Sequence, residues 1–195
     1  TTMNTTMNKD FAGRAALITG SGVGIGREVA QLLASRGAFV GVHYRSSEDD
    51  ARETLRGIEA AGGQGVLVAG DIADEDQANA IVDNFVAAAG RLDVLVNNAG
   101  EPIDRATIEA CSTDLWRRVI DTNLTGTFFI TRRAIPHLKA TGNGAIINNL
   151  SLSVQTGGAN GAGAYAAAKG GIQVMTRTLA KELAPDVRTN AVMPG

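Results

Sequence analysis

Short apolar segments alternate with longer segments of helical period from Arg14 to the end of the sequence. This alternation predicts parallel strands joined by crossover helices. Three of the strands are apolar through most of their length, which is typical of a parallel sheet that helices cover on both faces. With right-handed crossovers, we predict an α/β fold, a doubly wound parallel sheet in one domain of three layers, α/β/α. The predicted strands are residues 15–20, 39–44, 65–70, 92–97, 145–151 and 187–193, and the predicted helices are residues 24–36, 48–61, 74–89, 112–139 and 163–184.

Length and charge exclude several classes of protein. A chain of 195 residues can bury one sizeable core, and we expect a single domain over residues 10–195. The net charge of −2 gives no reason to expect a nucleic acid or an anionic membrane as a partner. No apolar run approaches the roughly 20 residues that span a bilayer. Residues 1–9, which include the repeated unit "TTMNTTMN", are predicted to be a disordered leader.

The cysteine content favours a reducing compartment. Cys111 is the single cysteine, so no internal disulfide can form, and the first residues lack the pattern of a secretion signal. We therefore expect a cytoplasmic protein. Cys111, Trp116 and His137 have no partners at the spacing of a metal site or of an activated nucleophile, and no metal is predicted.

A glycine-rich segment, "TGSGVGIGR", joins the first strand to the first helix. In an open parallel sheet, ligands bind beyond the carboxyl ends of the strands. Gly20, Gly24 and Gly26 would let the backbone turn tightly and approach a pyrophosphate at the start of the helix. This context predicts a Rossmann-type, dinucleotide-binding fold. The spacing is G-x-x-x-G-x-G rather than the general G-x-G-x-x-G, so a glycine-rich turn without a ligand is the alternative.

The end of the second strand bears on the choice of cofactor. An acidic residue about 20 positions after the glycine-rich loop would bind the ribose of NAD, whereas an arginine there would suit the 2′-phosphate of NADP. Tyr44 stands near the acidic position, and Arg45 and Ser46 follow with a charge and a hydroxyl group. We predict NADP (NADPH), with NAD as the less favoured alternative. A solvated loop position is the alternative for Arg45, and His43 is interpreted as a plain strand residue.

Six motifs occur in one order along the alternating pattern. They are Thr19-Gly20-x-x-x-Gly24-Ile25-Gly26, Asn97-Asn98-Ala99-Gly100, Asn123, the serine that ends "IINNLS", Tyr165-x-x-x-Lys169 and Pro194-Gly195. In this order and approximate spacing, the sequence resembles the short-chain dehydrogenase/reductase family, most closely its 3-oxoacyl-(acyl carrier protein) reductases and related carbonyl reductases. The likeness extends from about residue 10 to the last residue.

The resemblance assigns catalytic roles to Tyr165, Lys169, Ser151 and Asn123. Positions i and i+4 share a helix face, so Tyr165 and Lys169 would point toward the same ligand. A nearby ammonium and an oxidised nicotinamide would lower the pKa of the phenol. By the resemblance, Tyr165 exchanges a proton with the substrate oxygen, Ser151 polarises that oxygen, and Lys169 also binds the nicotinamide ribose. Ser153, two residues after Ser151, is the alternative to it.

The resemblance also implies the cofactor-binding residues. Asn123 would kink the fourth crossover helix and hold a water, Asp71 would meet the adenine amino group, and Ile72 would pack beside that ring. The cofactor-binding residues implied by the motifs and strand ends are Gly20, Ser21, Gly24, Ile25, Gly26, Tyr44, Arg45, Ser46, Asp71, Ile72, Asn98, Ala99, Gly100, Tyr165, Lys169, Pro194 and Gly195.

Two functions remain open at this point. The first is an NADP-dependent oxidoreductase that transfers hydride between the nicotinamide and a small carbonyl or secondary alcohol substrate. The second is a catalytically silent nucleotide-binding or assembly module of the same fold. The resemblance implies a homotetramer or a homodimer. It also implies that family members continue beyond Pro194-Gly195 with a substrate lid and a last strand, which we expect this chain to lack.

Overall fold

Six parallel strands form one sheet in the computed structural model, which describes residues 9–195. The predicted leader, residues 1–9, therefore lies outside the described residues except for Lys9. The strands are β1 (Ala15–Ile18), β2 (Phe39–Tyr44), β3 (Gln64–Ala69), β4 (Val94–Asn97), β5 (Gly144–Asn149) and β6 (Val187–Val192). The α-helices are α1 (Gly24–Ser35), α2 (Glu48–Ala60), α3 (Glu75–Ala89), α4 (Thr113–Ile120), α5 (Gly126–Ala140), α6 (Ser153–Thr156) and α7 (Gly163–Glu182).

The strand order is β3-β2-β1-β4-β5-β6. The chain runs outward from β1 to β3, crosses back to β4 beside β1, and continues outward to β6. The direction of winding therefore reverses between β1 and β4. Such a switch point leaves a crevice beyond the carboxyl ends of the two strands, and ligands of doubly wound sheets bind there.

Helices cover both faces of the sheet. Side chains alternate along a strand, so Ala16 and Ile18 of β1 pack with α1 and α2, whereas Ala15 and Leu17 pack in the core that holds α3 and α5. The four residues of β1 are all buried. These two cores confirm the predicted single-domain, doubly wound, three-layer α/β/α fold.

Three strand boundaries differ by two residues from the sequence prediction. Strand β1 ends at Ile18 rather than residue 20, because Gly20 turns the chain with a φ of 63°. Strand β4 begins at Val94 rather than residue 92. Strand β5 ends at Asn149 rather than residue 151, since Leu152 adopts helical backbone angles and leads into α6, a short helix that the sequence did not predict.

The predicted helix 112–139 is interrupted by a π-helical turn, Asp121–Thr125, between α4 and α5. Asn123, which is fully buried, explains the turn. Its Nδ2 donates to the carbonyl oxygen of Val119 at 2.9 Å and to that of Glu101 at 2.8 Å. The side chain thus takes the carbonyl that the backbone N–H of residue 123 would use in a regular helix, and one turn widens.

A chain of buried polar side chains crosses the middle of the sheet. Asn97 of β4 donates from Nδ2 to Thr131 of α5 and to Asn148 of β5, both at 2.9 Å. Asn148 donates in turn to the hydroxyl of Thr176 on α7, also at 2.9 Å. These four residues are each at most 8% exposed. They tie β4 and β5 to α5 and α7, two helices that pack in the same core on one face of the sheet.

Candidate active site

A cleft of about 530 Å³ opens beyond the carboxyl ends of the strands at the switch point between β1 and β4. This volume lies within the range of small-molecule and cofactor sites. The predicted site residues that line the cleft are Gly20, Ile25, Tyr44, Arg45, Ser46, Asp71, Ile72, Asn98, Ala99, Gly100, Ser151, Tyr165, Lys169, Pro194 and Gly195.

Four predicted site residues do not line the cleft. Ser21 is fully buried and its hydroxyl donates to the carbonyl oxygen of Ile18 at 2.7 Å, so its side chain shapes the turn from within. Gly24 and Gly26 form the start of α1. Asn123 lies behind the cleft wall in the π-helical turn.

Gly20 is the tightest point of the glycine-rich turn. Its φ of 63° favours glycine, and a Cβ there would lie 2.9 Å from the Cα of Ala99. The carbonyl oxygen of Gly20 accepts a hydrogen bond from Asn98 at 2.9 Å. The turn after β1 therefore packs directly against the segment after β4.

Thr19, which is buried, forms hydrogen bonds that join the segment after β1 to the segment after β4. Its Oγ1 accepts hydrogen bonds from the backbone N–H groups of Asn98 and Ala99, each at 3.0 Å. Asn98 also donates from Nδ2 to the carbonyl oxygen of Thr19 at 3.0 Å, and its Oδ1 accepts from Asn149 at 2.9 Å. The floor of the cleft is thus held by hydrogen bonds that join β1, β4 and β5.

His43 has a larger part in the site than a plain strand residue would have. Its ring is 2% exposed and lies between two backbone groups, the N–H of Gly20 at 2.8 Å from Nδ1 and the carbonyl of Gly70 at 3.0 Å from Nε2. Burial lowers the pKa of His43 to about 4, although the Gly70 carbonyl and the Asp71 carboxylate act to raise it. The imidazole is therefore neutral at pH 7.

The lowered pKa of His43 predicts a loss of stability in acid. The unfolded chain takes up this proton near pH 6.5 and the folded protein near pH 4, so the unfolded state binds more protons between these values. The free energy of unfolding should fall by about 3 kcal/mol as the pH drops through this window. Urea denaturation of wild type and His43→Asn at a series of pH values measures this free energy of unfolding. The difference in unfolding free energy should change with pH, and a constant difference would contradict the prediction.

Tyr165 and Lys169 lie on one face of α7 at the other end of the cleft, with the Lys169 Nζ 5.6 Å from the centroid of the tyrosine ring. Lys169 is 2% exposed and its ammonium donates to the carbonyl oxygen of Asn149 at 2.7 Å. Burial lowers the pKa of Lys169 to about 8, so the ammonium is still mainly charged at neutral pH.

In the protein alone, burial governs the pKa of Tyr165, whereas the sequence expectation of a lowered pKa also counted the charge of an oxidised nicotinamide. Burial raises the pKa of Tyr165 above its ordinary value and outweighs the interaction with the Ser151 side chain, which lowers it. Even a half-buried phenol loses hydration as phenolate, and the neighbouring Lys169 ammonium does not reverse the upward shift of the pKa. A lowered pKa would require a further positive charge in the cleft.

The two candidate serines differ in position. Ser151 lines the cleft with Tyr165 and Lys169, and its Oγ accepts the backbone N–H of Ser153 at 3.2 Å. Ser153 belongs to α6, and its buried Oγ has no hydrogen-bond partner within residues 9–195. The geometry therefore favours Ser151 as the hydroxyl that reaches a ligand.

Three residues lie close together beside the cleft, namely Asn123, Gly100 and Lys169. A Cβ on Gly100 would lie 2.5 Å from the Oδ1 of Asn123 and 3.2 Å from the Nζ of Lys169, so only glycine fits between them. The Asn123 Oδ1 is buried and has no hydrogen-bond partner in the described part of the chain. A buried acceptor of this kind suits a water or a ligand hydroxyl next to the ammonium.

The opposite end of the cleft carries charged groups. Arg45, just after β2, pairs with Glu101 at 3.1 Å, and both side chains are about half exposed. Tyr44 is the last residue of β2. Asp71 accepts the backbone N–H of Ala73 at 2.9 Å, which holds its carboxylate at the end of β3.

Neither a cluster of metal-binding side chains nor a membrane-spanning helix is found along residues 9–195. No group of three or more His, Cys, Asp or Glu side chains is placed to share a metal ion. Over the same residues, no helix combines the length and the apolar character needed to cross a bilayer.

Among the residues of the site that were not sequence candidates, four make contacts described above: Thr19, His43, Glu101 and Asn149. His43 and Asn149 lie near the carboxyl ends of predicted parallel strands, and Thr19 and Glu101 lie just beyond such ends. That position was the signal that could have identified all four. Thr19 was quoted only as part of a motif, and Asn149 contributes its backbone carbonyl.

The sequence matches a family model described as "short chain dehydrogenase" over residues 14–195. General stress protein 39 of Bacillus subtilis is 39% identical over 184 residues, which cover 94% of this chain and 63% of that protein. A 3-oxoacyl-(acyl-carrier-protein) reductase, FabG, of Staphylococcus aureus is 39% identical over 183 residues, covering 93% of this chain and 74% of that protein. The chain thus spans 63% and 74% of the length of these two relatives.

Solved structures share the architecture. The crystal structure of the NADH-dependent reductase A1-R′ complexed with NAD superposes with a TM-score of 0.92 and 35% identity. The match covers 96% of this chain and 80% of that one.

Proposed function

Because the chain belongs to the short chain dehydrogenase family, whose named relatives are dehydrogenases and reductases, we propose that it is an NADP-dependent oxidoreductase that interconverts a carbonyl and a secondary alcohol. One observation carries the proposal. Tyr165, Lys169 and Ser151 line the same cleft as the glycine-rich turn and Arg45, and Ser151 follows β5 whereas Arg45 follows β2, with β1 and β4 between those strands. A dinucleotide has the same division between a reactive end and a phosphate-bearing end.

The residues of the cleft fit a nicotinamide dinucleotide. The turn at Gly20 would bring the backbone close to the pyrophosphate near the start of α1. Asp71 and Ile72 would hold the adenine, and Lys169 the nicotinamide ribose. When bound, the cofactor supplies or accepts the hydride, and its oxidised nicotinamide adds a positive charge.

The protein residues would move and hold the proton. Tyr165 donates it to the carbonyl oxygen of the substrate, or takes it from the alcohol in the reverse direction. Ser151 donates a hydrogen bond to the same oxygen and so stabilises negative charge on it. Lys169 holds a charge behind the phenol, and the free Oδ1 of Asn123 can position a water that passes protons to Lys169.

The preference for NADP rests on Arg45. No carboxylate ends β2, where Tyr44 stands, and the next three residues, Arg45, Ser46 and Ser47, all line the cleft. Arginine is well suited to a phosphate because it can donate two parallel hydrogen bonds. NAD remains the alternative, since the structural neighbour A1-R′ is described as NADH-dependent.

Arg45→Ala should separate the two cofactors. Loss of a charge-assisted contact to the 2′-phosphate, worth about 1.5–3 kcal/mol, should raise the Kd for NADPH by about 10- to 100-fold. The Kd for NADH should stay within about 3-fold. Fluorescence titration measures both values. Arg52→Ala is the matched control, because Arg52 is similarly exposed but pairs with Glu48 on α2. An equal loss for both cofactors would contradict the preference.

The proposed function is tested in two steps. The protein is first titrated with NADPH and NADH and is then screened with small ketones, 3-oxoacyl esters and secondary alcohols. We expect tight binding of NADPH and a change in NADPH absorbance with at least one substrate class. Cofactor binding without turnover of any substrate would support the silent nucleotide-binding module instead. The 3-oxoacyl esters are included because one relative is named for reducing that group.

We further propose a homotetramer or a homodimer. Large apolar side chains are exposed on the outer faces of α4, α5 and α7, namely Trp116, Phe128 and Val174 at 40%, 42% and 59%. Exposed apolar groups of this size are common where subunits meet. Light scattering would measure the mass of the assembly, and the mass of one chain would contradict the proposal.

A further inference from the structure

His43 lies at the point where three strand ends meet. It is the penultimate residue of β2, which is flanked in the sheet by β1 and β3. The ring reaches both neighbours, because Nδ1 lies 2.8 Å from the backbone nitrogen of Gly20 and Nε2 lies 3.0 Å from the carbonyl oxygen of Gly70. Gly20 belongs to the glycine-rich turn, and Gly70 directly precedes Asp71 and Ile72.

The backbone of His43 is bonded to the same turn. Its N–H donates to the hydroxyl of Ser21 at 2.9 Å, and its carbonyl oxygen accepts the N–H of Ser21 at 3.0 Å. Three hydrogen bonds thus join His43 to Gly20 and Ser21, and the ring supplies one of them. The ring also reaches Gly70 at the end of β3, whose N–H donates to the carbonyl oxygen of the neighbouring Tyr44 at 3.1 Å.

The chemistry of the two partners fixes the tautomer. A backbone N–H can only donate and a carbonyl oxygen can only accept, so Nδ1 must be unprotonated and Nε2 must carry the hydrogen. Protonation of Nδ1 would set two donors against each other. An imidazole that bridges these groups is therefore required to be neutral and in one tautomer.

Both partners lead directly to walls of the cleft. Gly20 lines its β1 side, and Asp71 and Ile72, which follow Gly70, line its β3 side. We propose that His43 is a positioning residue for the cofactor, whose ring sets the distance between the glycine-rich turn and the end of β3. The inference rests on the proposed function, since it concerns binding of the same dinucleotide.

Two substitutions separate the two ends of the ring. The amide oxygen of asparagine falls near Nδ1 of histidine, and the amide nitrogen of glutamine falls near Nε2. His43→Asn therefore keeps an acceptor for Gly20, whereas His43→Gln keeps a donor for Gly70 and leaves the buried Gly20 N–H without a partner. An unpaired buried donor is the costlier defect.

The experiment compares the Kd for NADPH and the kcat of wild type, His43→Asn and His43→Gln. We expect His43→Gln to raise the Kd at least about 10-fold and His43→Asn about 3-fold or less. The loss should be larger in the Kd for NADPH than in kcat, because the ring contacts Gly20 and Gly70 and makes no hydrogen bond to Tyr165. Equal Kd values for the two variants, or a loss of thermal stability without a change in Kd, would overturn the proposal.

A measurement on the wild-type protein keeps the proposal testable if a variant does not fold. Heteronuclear NMR of the labelled imidazole at neutral pH should show a hydrogen on Nε2 and none on Nδ1. The opposite tautomer would overturn the proposal. Failure of the proposed function is distinguishable, because wild type would then bind neither NADPH nor NADH, or would bind them without turnover of any substrate.

Discussion

Tyr165→Phe should lower kcat by about 10²- to 10⁴-fold, the range lost when a general acid or base is removed. The substitution deletes one oxygen and keeps the ring, so packing of α7 against the cleft is preserved. The Kd for NADPH should change by less than about 3-fold. Steady-state kinetics with the best substrate of the screen, together with a fluorescence titration of the same preparation, measures both quantities.

Two outcomes would contradict this prediction. A kcat close to that of wild type would show that the phenol does not exchange the proton. A parallel loss of cofactor binding and of thermal stability would show that the tyrosine is structural. Because Ser151 and Lys169 stay in place, a small residual rate above the uncatalysed reaction is compatible with the proposed mechanism.

Gly26→Ala should weaken the binding of NADPH by about 10- to 100-fold. A Cβ at this helical position would lie 2.4 Å from the carbonyl oxygen of Gly20 and 2.6 Å from Nδ2 of Asn98. Both atoms are fixed by their mutual hydrogen bond, so the turn must shift as a whole. Overpacking of this kind costs about 1–3 kcal/mol. Isothermal titration calorimetry gives the affinity, and thermal denaturation gives the accompanying loss of stability.

Gly57→Ala is the matched control. Gly57 is also a helical glycine, but it is exposed on α2, and its Cβ would meet only the flexible end of Gln31 at 3.4 Å. Replacement of an exposed helical glycine by alanine should stabilise the protein by up to about 1 kcal/mol and leave NADPH binding unchanged. If Gly26→Ala behaved like this control, the close approach of the turn to Asn98 would not matter for the cofactor.

The fold could be predicted from the sequence because its signals are local and repeated. Each parallel strand is a short apolar run, and each crossover has a helical period, so errors at one boundary do not change the order of elements. The predicted boundaries were wrong where the backbone geometry determines the end of an element. Strand β1 ends early because of the left-handed turn at Gly20, and α6 begins because Leu152 takes helical angles.

The candidate site was predictable where chemistry depends on side-chain identity. Tyr165 and Lys169 form an i, i+4 pair, and the sequence alone places both on one helix face. His43 shows the limit of this reasoning. Its ring contacts are backbone groups 23 and 27 residues away, and backbone groups are the same at every position. The position of His43 near a strand end makes it a candidate, but nothing in the sequence around it predicts those contacts.

The burial of Tyr165 could not be predicted from the sequence for a related reason. A neighbouring lysine can be read from the sequence, but the loss of water around the phenol depends on how α7, α6 and the end of β5 enclose it. Burial proved the larger influence. The sequence supplied the charge that favours the phenolate, and only the three-dimensional arrangement supplied the opposing cost of desolvation.

Misassembly of the sheet is penalised by four buried polar side chains, those of Asn97, Asn148, Thr131 and Thr176. If β5 paired with β4 one residue out of place, Asn148 would turn to the opposite face and leave its former partners with unmade hydrogen bonds in an apolar interior. Apolar residues alone would tolerate such a slip far better, because one aliphatic contact substitutes for another. These hydrogen bonds thus favour the native register of β4 and β5 over a shifted one. The same register aligns the two strands after which the Asn98 and Ser151 segments enter the cleft.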